Sequence, residues 1–291
     1  MPRPKIIFFG FSMTGAAVLR RLIADGANVA AVYTYEDNPS ETWFESVKKI
    51  AVENKIPVFT PEKLERADIE NIAKIKPEII LSVYYRSLIS DEILKLAPRG
   101  AYNMHGSYLP KYRGRAPINW VLVNGEKYTG ATLHHMVSKA DAGDIIDQEK
   151  VEITPEDDAL TLTKKVTAAA VTVIKRSLPK LENGPAAGTP QNMAQSTYFG
   201  RRTPEDGKID WNWDALRIYN LIRAVTKPFP GAFTYLPDGR KIIIWKAKIL
   251  NNNSASGFGG FGWKNWDIKQ DLPLIMKTAT NDLQILEYEE K

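Results

Sequence analysis

"KIIFFGFSMTGAAVLRRLIADGANVAAVYTY", residues 5–35, decides the fold. "KIIFFG" is an almost unbroken apolar run, the texture of a strand covered on both faces rather than a half-exposed one. "MTGAAVLRRLIADG" follows with apolar residues at helical spacing and Gly26 as the stop. "NVAAVYTY" is a second buried strand. Strand, helix and strand in this order make a βαβ unit, whose two strands lie parallel with the helix covering one face. The turn "GFSMTG" (residues 10–15) joins the first strand to the helix, but Ser12 stands where a dinucleotide fingerprint needs its middle glycine. A plain tight turn explains it better than a nucleotide loop.

Outward from this unit the alternation continues. A helix runs through "WFESVKKIAVENK", then come "IPVFT", a helical stretch, "PEIILSVYY", another helix and "GAYNMHG". "GATLHHMV" and "GDIIDQEKVEI" read as later strands, and "ALTLTKKVTAAAVTVIKRSLPKL" as a long helix. Near "LENGPAAGTPQNMAQST" the texture turns to Gly, Pro and small polar residues, a linker signature. Beyond it one short helix, "DALRIYNLIRAV", precedes β-type runs divided by turn residues. The expectation is an α/β domain with a Rossmann-like, mostly parallel sheet over residues 1–189. A linker spans 190–203, and a smaller C-terminal barrel-like (OB-like) domain spans 204–291. "GFGGFGWKNW" (257–266) reads as a loop whose aromatics serve either as a lid or as packing.

Composition narrows the classes. The 291 residues include 44% hydrophobic and 25% charged ones, ordinary for a globular protein, and the formal charge is +5. Phosphate-bearing small molecules suffice to explain that modest excess. No apolar run approaches the ~18 residues of a membrane span, and the N-terminus shows no small-residue cleavage site. With no cysteine, disulfides and thiolate metal sites are excluded. With three histidines, two of them adjacent, a zinc site is not expected, so no metal is assigned. A cytoplasmic location without membrane insertion is the expectation.

"YNMHGSYLPKYRGRAP" (102–117) carries the chemistry. Residues i and i+2 of a strand share a face, so Asn103 and His105 point the same way where the strand stops at Gly106. In an open α/β sheet that carboxyl end is where ligands bind. An amide N–H and a titratable imidazole suit acyl transfer, the first for a developing oxyanion and the second for a proton. A hydrogen-bonded polar strand end fits the spacing equally well. A carboxylate that orients the imidazole would complete the set, and "SKADAGDIIDQE" offers Asp141, Asp144 and Asp147, among which spacing does not choose. His134 and His135 are adjacent on a strand, face opposite ways, and cannot both serve one site.

"NMHGSYLPKYRGRAPINW" with "GATLHHMVSKADAGDII" resembles the signature of the folate-dependent formyltransferases, N-x-H-G-S-L-L-P and a later D-x-G-D loop. Tyr108, where leucine is usual, is the one visible departure. The resemblance covers the whole chain. It implies catalytic Asn103, His105 and Asp141, N10-formyltetrahydrofolate as co-substrate, and an amine as formyl acceptor. It also implies folate contacts at Ser87, Leu88 and Ile89 of "YYRSLI", largely through backbone groups, at Arg115, and along Val137, Ser138, Lys139, Ala140 and Asp141.

Several members of this family share the triad, so the acceptor is read elsewhere. The family's tRNA enzyme carries a Lys/Arg-rich loop after its second strand. This chain has "YTYEDNPSETWFESV" there, acidic at Glu36, Asp37, Glu41 and Glu45, and phosphate contacts need Lys or Arg. From Thr203 on, 12 Lys/Arg stand against 11 Asp/Glu, with no basic bias. The same loop, with "GRAPINWVLVNGE" and "YFGRRTPEDGKIDW", resembles the formyltransferase domain of the bifunctional polymyxin-resistance enzymes, which acts on UDP-4-amino-4-deoxy-L-arabinose in lipopolysaccharide modification. A stand-alone nucleotide-sugar N-formyltransferase is therefore expected, with a nucleotide sugar and folate as partners and no nucleic acid. Arg201, Arg202 and Trp211 are the expected sugar-nucleotide contacts, interdomain pairing and packing being their alternative. A methionyl-tRNA formyltransferase is the competing reading.

Overall fold

The structure, a computed structural model, describes residues 2–250 and 274–291. The aromatic loop 257–266 lies outside the described residues. In chain order the elements are β1 (Ile6–Gly10), α1 (Ser12–Ala24), β2 (Val29–Tyr33), α2 (Val47–Glu53), β3 (Val58–Phe59) and α3 (Arg66–Ile75). Then follow β4 (Ile79–Val83), α4 (Asp91–Leu94), β5 (Ala101–His105), β6 (Arg113–Gly114), α5 (Pro117–Val123), β7 (Tyr128–His135) and β8 (Ile145–Glu152). The long α6 (Ala159–Glu182), β9 (Tyr198–Phe199), α7 (Ala215–Val225), β10 (Ala232–Tyr235), β11 (Lys241–Leu250), β12 (Leu274–Met276) and β13 (Asp282–Glu290) complete the described chain.

Two compact units emerge. The first comprises residues 1–117, 128–152 and 163–199; the second comprises 118–127, 153–162 and 200–291.

The first unit is built on a seven-stranded sheet of order β3-β2-β1-β4-β5-β7-β8. From β3 to β5 every neighbour pair is parallel, while β7 runs antiparallel to β5 and β8 antiparallel to β7. The expected α/β sheet is thus present, mostly parallel with an antiparallel pair at one edge. The apolar runs explain the centre: all five residues of β1 and of β4 are buried. α1 turns Thr14, Gly15, Ala16, Val18, Leu19 and Leu22 inward, the face its 3.6-residue period sets. The strands that follow β1 in sequence lie on one side of it and β4 on the other, which makes the carboxyl ends of β1 and β4 a switch-point crevice.

The loop after β2 is acidic in sequence but largely paired in space. Glu36 meets Lys48 at 2.6 Å, Glu41 meets Arg86 at 3.2 Å, and Glu45 accepts from Arg20 Nε at 2.6 Å. Asp37 instead accepts from the Ser46 hydroxyl at 2.8 Å, and Phe44 packs edge-on against Phe11.

The second unit carries a four-stranded antiparallel sheet of order β10-β11-β13-β12. α7 begins at Asp214, whose side chain accepts from the Arg217 N–H at 2.8 Å as an N-cap. Phe233, Ile243 and Trp245 form a buried cluster on this sheet. The small C-terminal β unit expected from the turn-divided runs is therefore present; among the described residues β10 and β12 are its two edges. No helix among the described residues is long and apolar enough to cross a membrane.

Candidate active site

The site begins with the strand pair β5/β7. β5 places Asn103 opposite His134 and His105 opposite Thr132 on β7. Alternation along β5 sends Asn103 and His105 to one face, as the spacing requires. The strand ends at His105, and at Gly106 a Cβ would lie 1.8 Å from the Tyr84 hydroxyl. The chain then loops back, and the Tyr112 carbonyl sits 2.8 Å from His105 Nε2. A carbonyl only accepts, so Nε2 carries the hydrogen and Nδ1 is the nitrogen left to exchange a proton. That Nδ1 faces Asp141 Oδ1 at 3.6 Å.

Asp141 stands in the loop after β7 with φ of +51°, a left-handed conformation uncommon outside glycine and common where geometry is over-determined. Three bonds hold the loop. Asp141 Oδ2 accepts the Gly114 N–H at 2.9 Å. Gln191 Nε2 donates to the Asp141 carbonyl at 2.9 Å and to the Gly143 carbonyl at 2.7 Å. Gln191 Oε1 in turn accepts from the buried Arg113 guanidinium at 2.6 and 3.2 Å. Gln191 lies in the Gly/Pro-rich stretch read as a linker, so this stretch supports the site.

Around Asp141 Oδ1 three side chains converge: Asn103 Nδ2 at 3.4 Å, His134 Nε2 at 3.4 Å and His105 Nδ1 at 3.6 Å. His105 and His134 are buried and Asp141 nearly so, at 12% side-chain exposure. Burial alone pushes the Asp141 carboxyl upward. The His105 charge, the neighbouring His134 ring and the Gly114 N–H outweigh it and hold the group well below the usual carboxylate range. It is an anion at neutral pH. The other two carboxylates are elsewhere. Asp144 is exposed, and Asp147 is held by Arg176 at 2.6 Å and by Ser177 at 3.2 Å.

His134 is the residue that sequence reasoning missed. Its adjacency to His135 correctly separates the two: His135 Nε2 reaches the Ala186 carbonyl at 2.8 Å, away from the cluster. Only the antiparallel register of β5 and β7 brings His134 beside Asn103, at 3.2 Å.

The expected folate contacts divide. Leu88 is 85% exposed and Val137 47%, two apolar side chains left in solvent on the loops that follow β4 and β7. Ser87 is pinned through its N–H and hydroxyl to the Tyr35 hydroxyl at 3.0 and 3.1 Å. Arg115 reaches the Arg86 carbonyl of the same loop at 3.4 Å. Ser138 and Lys139 are exposed and Ala140 is partly so. Ile89 differs: its side chain is buried in the core with Ile7, Phe9 and Ile93, so it offers a ligand backbone groups only.

The expected sugar-nucleotide contacts divide as well. Trp211 is corrected to a core residue of the second unit: it is 4% exposed, and its indole N–H already donates to Thr234 Oγ1 at 3.1 Å. Arg201 is exposed. Arg202 lies over the Trp120 ring at 4.6 Å and donates to the Asp206 carbonyl at 2.8 Å. Among the described residues no group of three or more His, Asp or Glu side chains is placed to hold a metal ion.

An amide, an imidazole and an anion converging at the carboxyl end of a parallel sheet are equipment for acyl transfer. The family comparison agrees: residues 4–178 match the formyl transferase model, and residues 201–291 match the formyl transferase C-terminal domain. The chain belongs to the formyl transferase family.

Solved structures with the formyl transferase fold extend the likeness. A sugar 3N-formyl transferase crystallised with dTDP and 5-N-formyl-THF is similar with a TM-score of 0.74 and 21% identity, covering 98% of each chain. An N-formyltransferase from Helicobacter canadensis, in complex with folinic acid and dTDP-3-aminofucose, has a TM-score of 0.76 and 22% identity over 97% of this chain and 98% of that one. HypX from Aquifex aeolicus in complex with tetrahydrofolic acid has a TM-score of 0.65 and 17% identity, covering 100% of this chain and 45% of the longer one. At these identities the likeness is one of fold.

Proposed function

We propose that this formyl transferase moves the formyl group of N10-formyltetrahydrofolate to the primary amine of an amino-deoxy nucleotide sugar, with UDP-4-amino-4-deoxy-L-arabinose the first acceptor to test. The observation that carries the reading is the convergence of Asn103, His105 and His134 on the Asp141 carboxylate. Folate-bound structures of the same fold support the donor, and a dTDP-amino sugar in one of them supports the acceptor class. The loop after β2, residues 34–46, carries no Lys or Arg to meet a phosphate, which supports a sugar over tRNA.

The exposed Leu88 and Val137 would line the donor, leaving its formyl carbon at the end of β5. As the amine nitrogen bonds to that carbon, charge develops on the formyl oxygen, and an Asn103 N–H stabilises it. The amine must lose one proton and the departing folate nitrogen must gain one. His105 Nδ1, backed by the Asp141 anion, is placed to carry it. Asp141 acts by charge, holding the imidazolium form when the proton is aboard.

The test offers purified protein N10-formyltetrahydrofolate with either UDP-4-amino-4-deoxy-L-arabinose or methionyl-tRNA. Formylated sugar is the expected product, and a dTDP-linked 3-amino sugar extends the survey if the UDP sugar is not taken. Formylated tRNA alone would overturn the acceptor assignment while leaving the family intact.

A further inference from the structure

His134 faces the amide of Asn103, and the hydrogens available there can be counted. His134 Nδ1 lies 2.8 Å from the His135 carbonyl. A carbonyl has no hydrogen to give, so Nδ1 carries one and donates it. In the neutral ring Nε2 is then bare, a lone pair aimed from a nearly closed site, since the side chain is 2% exposed. Nε2 faces Asn103 Nδ2 at 3.2 Å and Asp141 Oδ1 at 3.4 Å. The first is a donor and the second an anionic acceptor, so the bare nitrogen takes a hydrogen from Asn103. Both neighbours of the Asn103 amide nitrogen, His134 Nε2 and Asp141 Oδ1, are thus acceptors. The amide can present only its NH2 end to them.

We infer that His134 is a positioning residue, which as its neutral Nδ1–H tautomer fixes the rotation of the Asn103 amide so that the NH2 group, not the carbonyl oxygen, is turned toward the reacting centre. This deepens the proposed function and rests on Asn103 acting as the oxyanion donor. One amide hydrogen stays on His134. The other, only weakly engaged by Asp141 at 3.4 Å, passes to the formyl oxygen as charge develops there. Without an acceptor at position 134 the amide is free to turn over, and an oxygen would then face a developing anion.

The groups that face His134 are Asn103 on β5, Asp141 in the loop after β7 and the His135 carbonyl on its own strand, with His105 reached through Asp141.

The experiment is a double-mutant cycle between positions 134 and 103, with the full chain and an accepted amino sugar. His134→Phe fills the space with no acceptor, and His134→Gln supplies an amide oxygen as acceptor. Removing an oxyanion donor outright costs roughly 10²–10³ in kcat; misorienting it is expected to cost His134→Phe about tenfold or more in kcat, with the KM values for both substrates little changed. His134→Gln is expected to recover most of that loss. The double variant Asn103→Ala/His134→Phe is expected to be no slower than Asn103→Ala alone, because both act through one amide. Wild-type kcat in His134→Phe, or losses that multiply in the double variant, would overturn the inference. Should Asn103→Ala itself turn over normally, the catalytic reading of Asn103 fails instead, and that outcome is distinct from the first two. Equal denaturation midpoints across the set separate positioning from unfolding.

Discussion

Gly114 links the fold to the candidate chemistry through one backbone N–H, and replacing it with alanine probes both. Its φ is +98°, and a Cβ built there would lie 2.2 Å from the Phe199 carbonyl oxygen, a backbone atom of the neighbouring strand β9. Ordinary contact begins near 3.4 Å, so β6 and β9 must part by about 1 Å, beyond what dispersion contacts tolerate without loss. The left-handed φ adds about 1–3 kcal/mol for a residue with a side chain. The Gly114 N–H donates to Asp141 Oδ2 at 2.9 Å, and a hydrogen bond to a charged group contributes about 1.5–3 kcal/mol. Gly114→Ala is therefore expected to lower stability by roughly 2–4 kcal/mol. Displacing the Asp141 carboxylate by about 1 Å is expected to lower kcat by roughly 10²-fold. Urea denaturation and formyl-transfer kinetics on the same preparation measure the two effects. Gly200→Ala is the control, since nothing lies within 4 Å of its Cβ position. Wild-type stability together with wild-type kcat in Gly114→Ala would refute both the close approach to Phe199 and the anchoring of Asp141 by this N–H.

Further outcomes follow from the same geometry. Asn103→Ala is expected to lose about 2.7–4 kcal/mol of transition-state stabilisation, read in kcat, with donor affinity from fluorescence titration unchanged. Asp141 has a carboxyl held below its ordinary value of 3.8, so it stabilises the fold above that pH and the gain is lost only as pH falls through the depressed value. The stability difference between wild type and Asp141→Asn should thus shrink only in strong acid, below that ordinary value; a difference already lost as pH falls to 5 would mean the anion is not held by its partners. Trp211→Ala, in the core of the second unit, is expected to cost about 3–5 kcal/mol, with the KM for the nucleotide sugar unaffected in whatever folds. Leu88→Ser, at an 85% exposed position, should shift stability by no more than about 0.5 kcal/mol while raising the KM for the folate donor.

Much of the fold was legible because its signals are local. The apolar runs at Ile6–Gly10 and Ile79–Val83 are buried along their whole length, as runs without alternation must be. Asn103 and His105 were legible as a pair because period-two alternation needs no knowledge of partners. Trp211 misled because an apolar residue beside a motif reads the same whether it faces a ligand or the core. Gln191 was hidden for a different reason: Gly, Pro and polar neighbours mark a linker by composition, and no composition reveals a side chain clamping the Asp141 loop.

The sequence by itself determined the βαβ alternation, the strand that ends at Gly106 with Asn103 and His105 on one face, and the choice of acyl-transfer chemistry through the motif that surrounds them. Tertiary structure alone decided that a second imidazole joins them, and it brought to the cluster the one carboxylate that spacing left open and only the resemblance singled out. Asp141, Asp144 and Asp147 are equivalent in spacing, but only Asp141 is turned by a left-handed φ toward the Gly114 N–H and His105. His134 enters because β7 pairs with β5 antiparallel and in one register. Strand register is set by side-chain burial summed over the whole sheet, and the pattern within a single strand does not contain it.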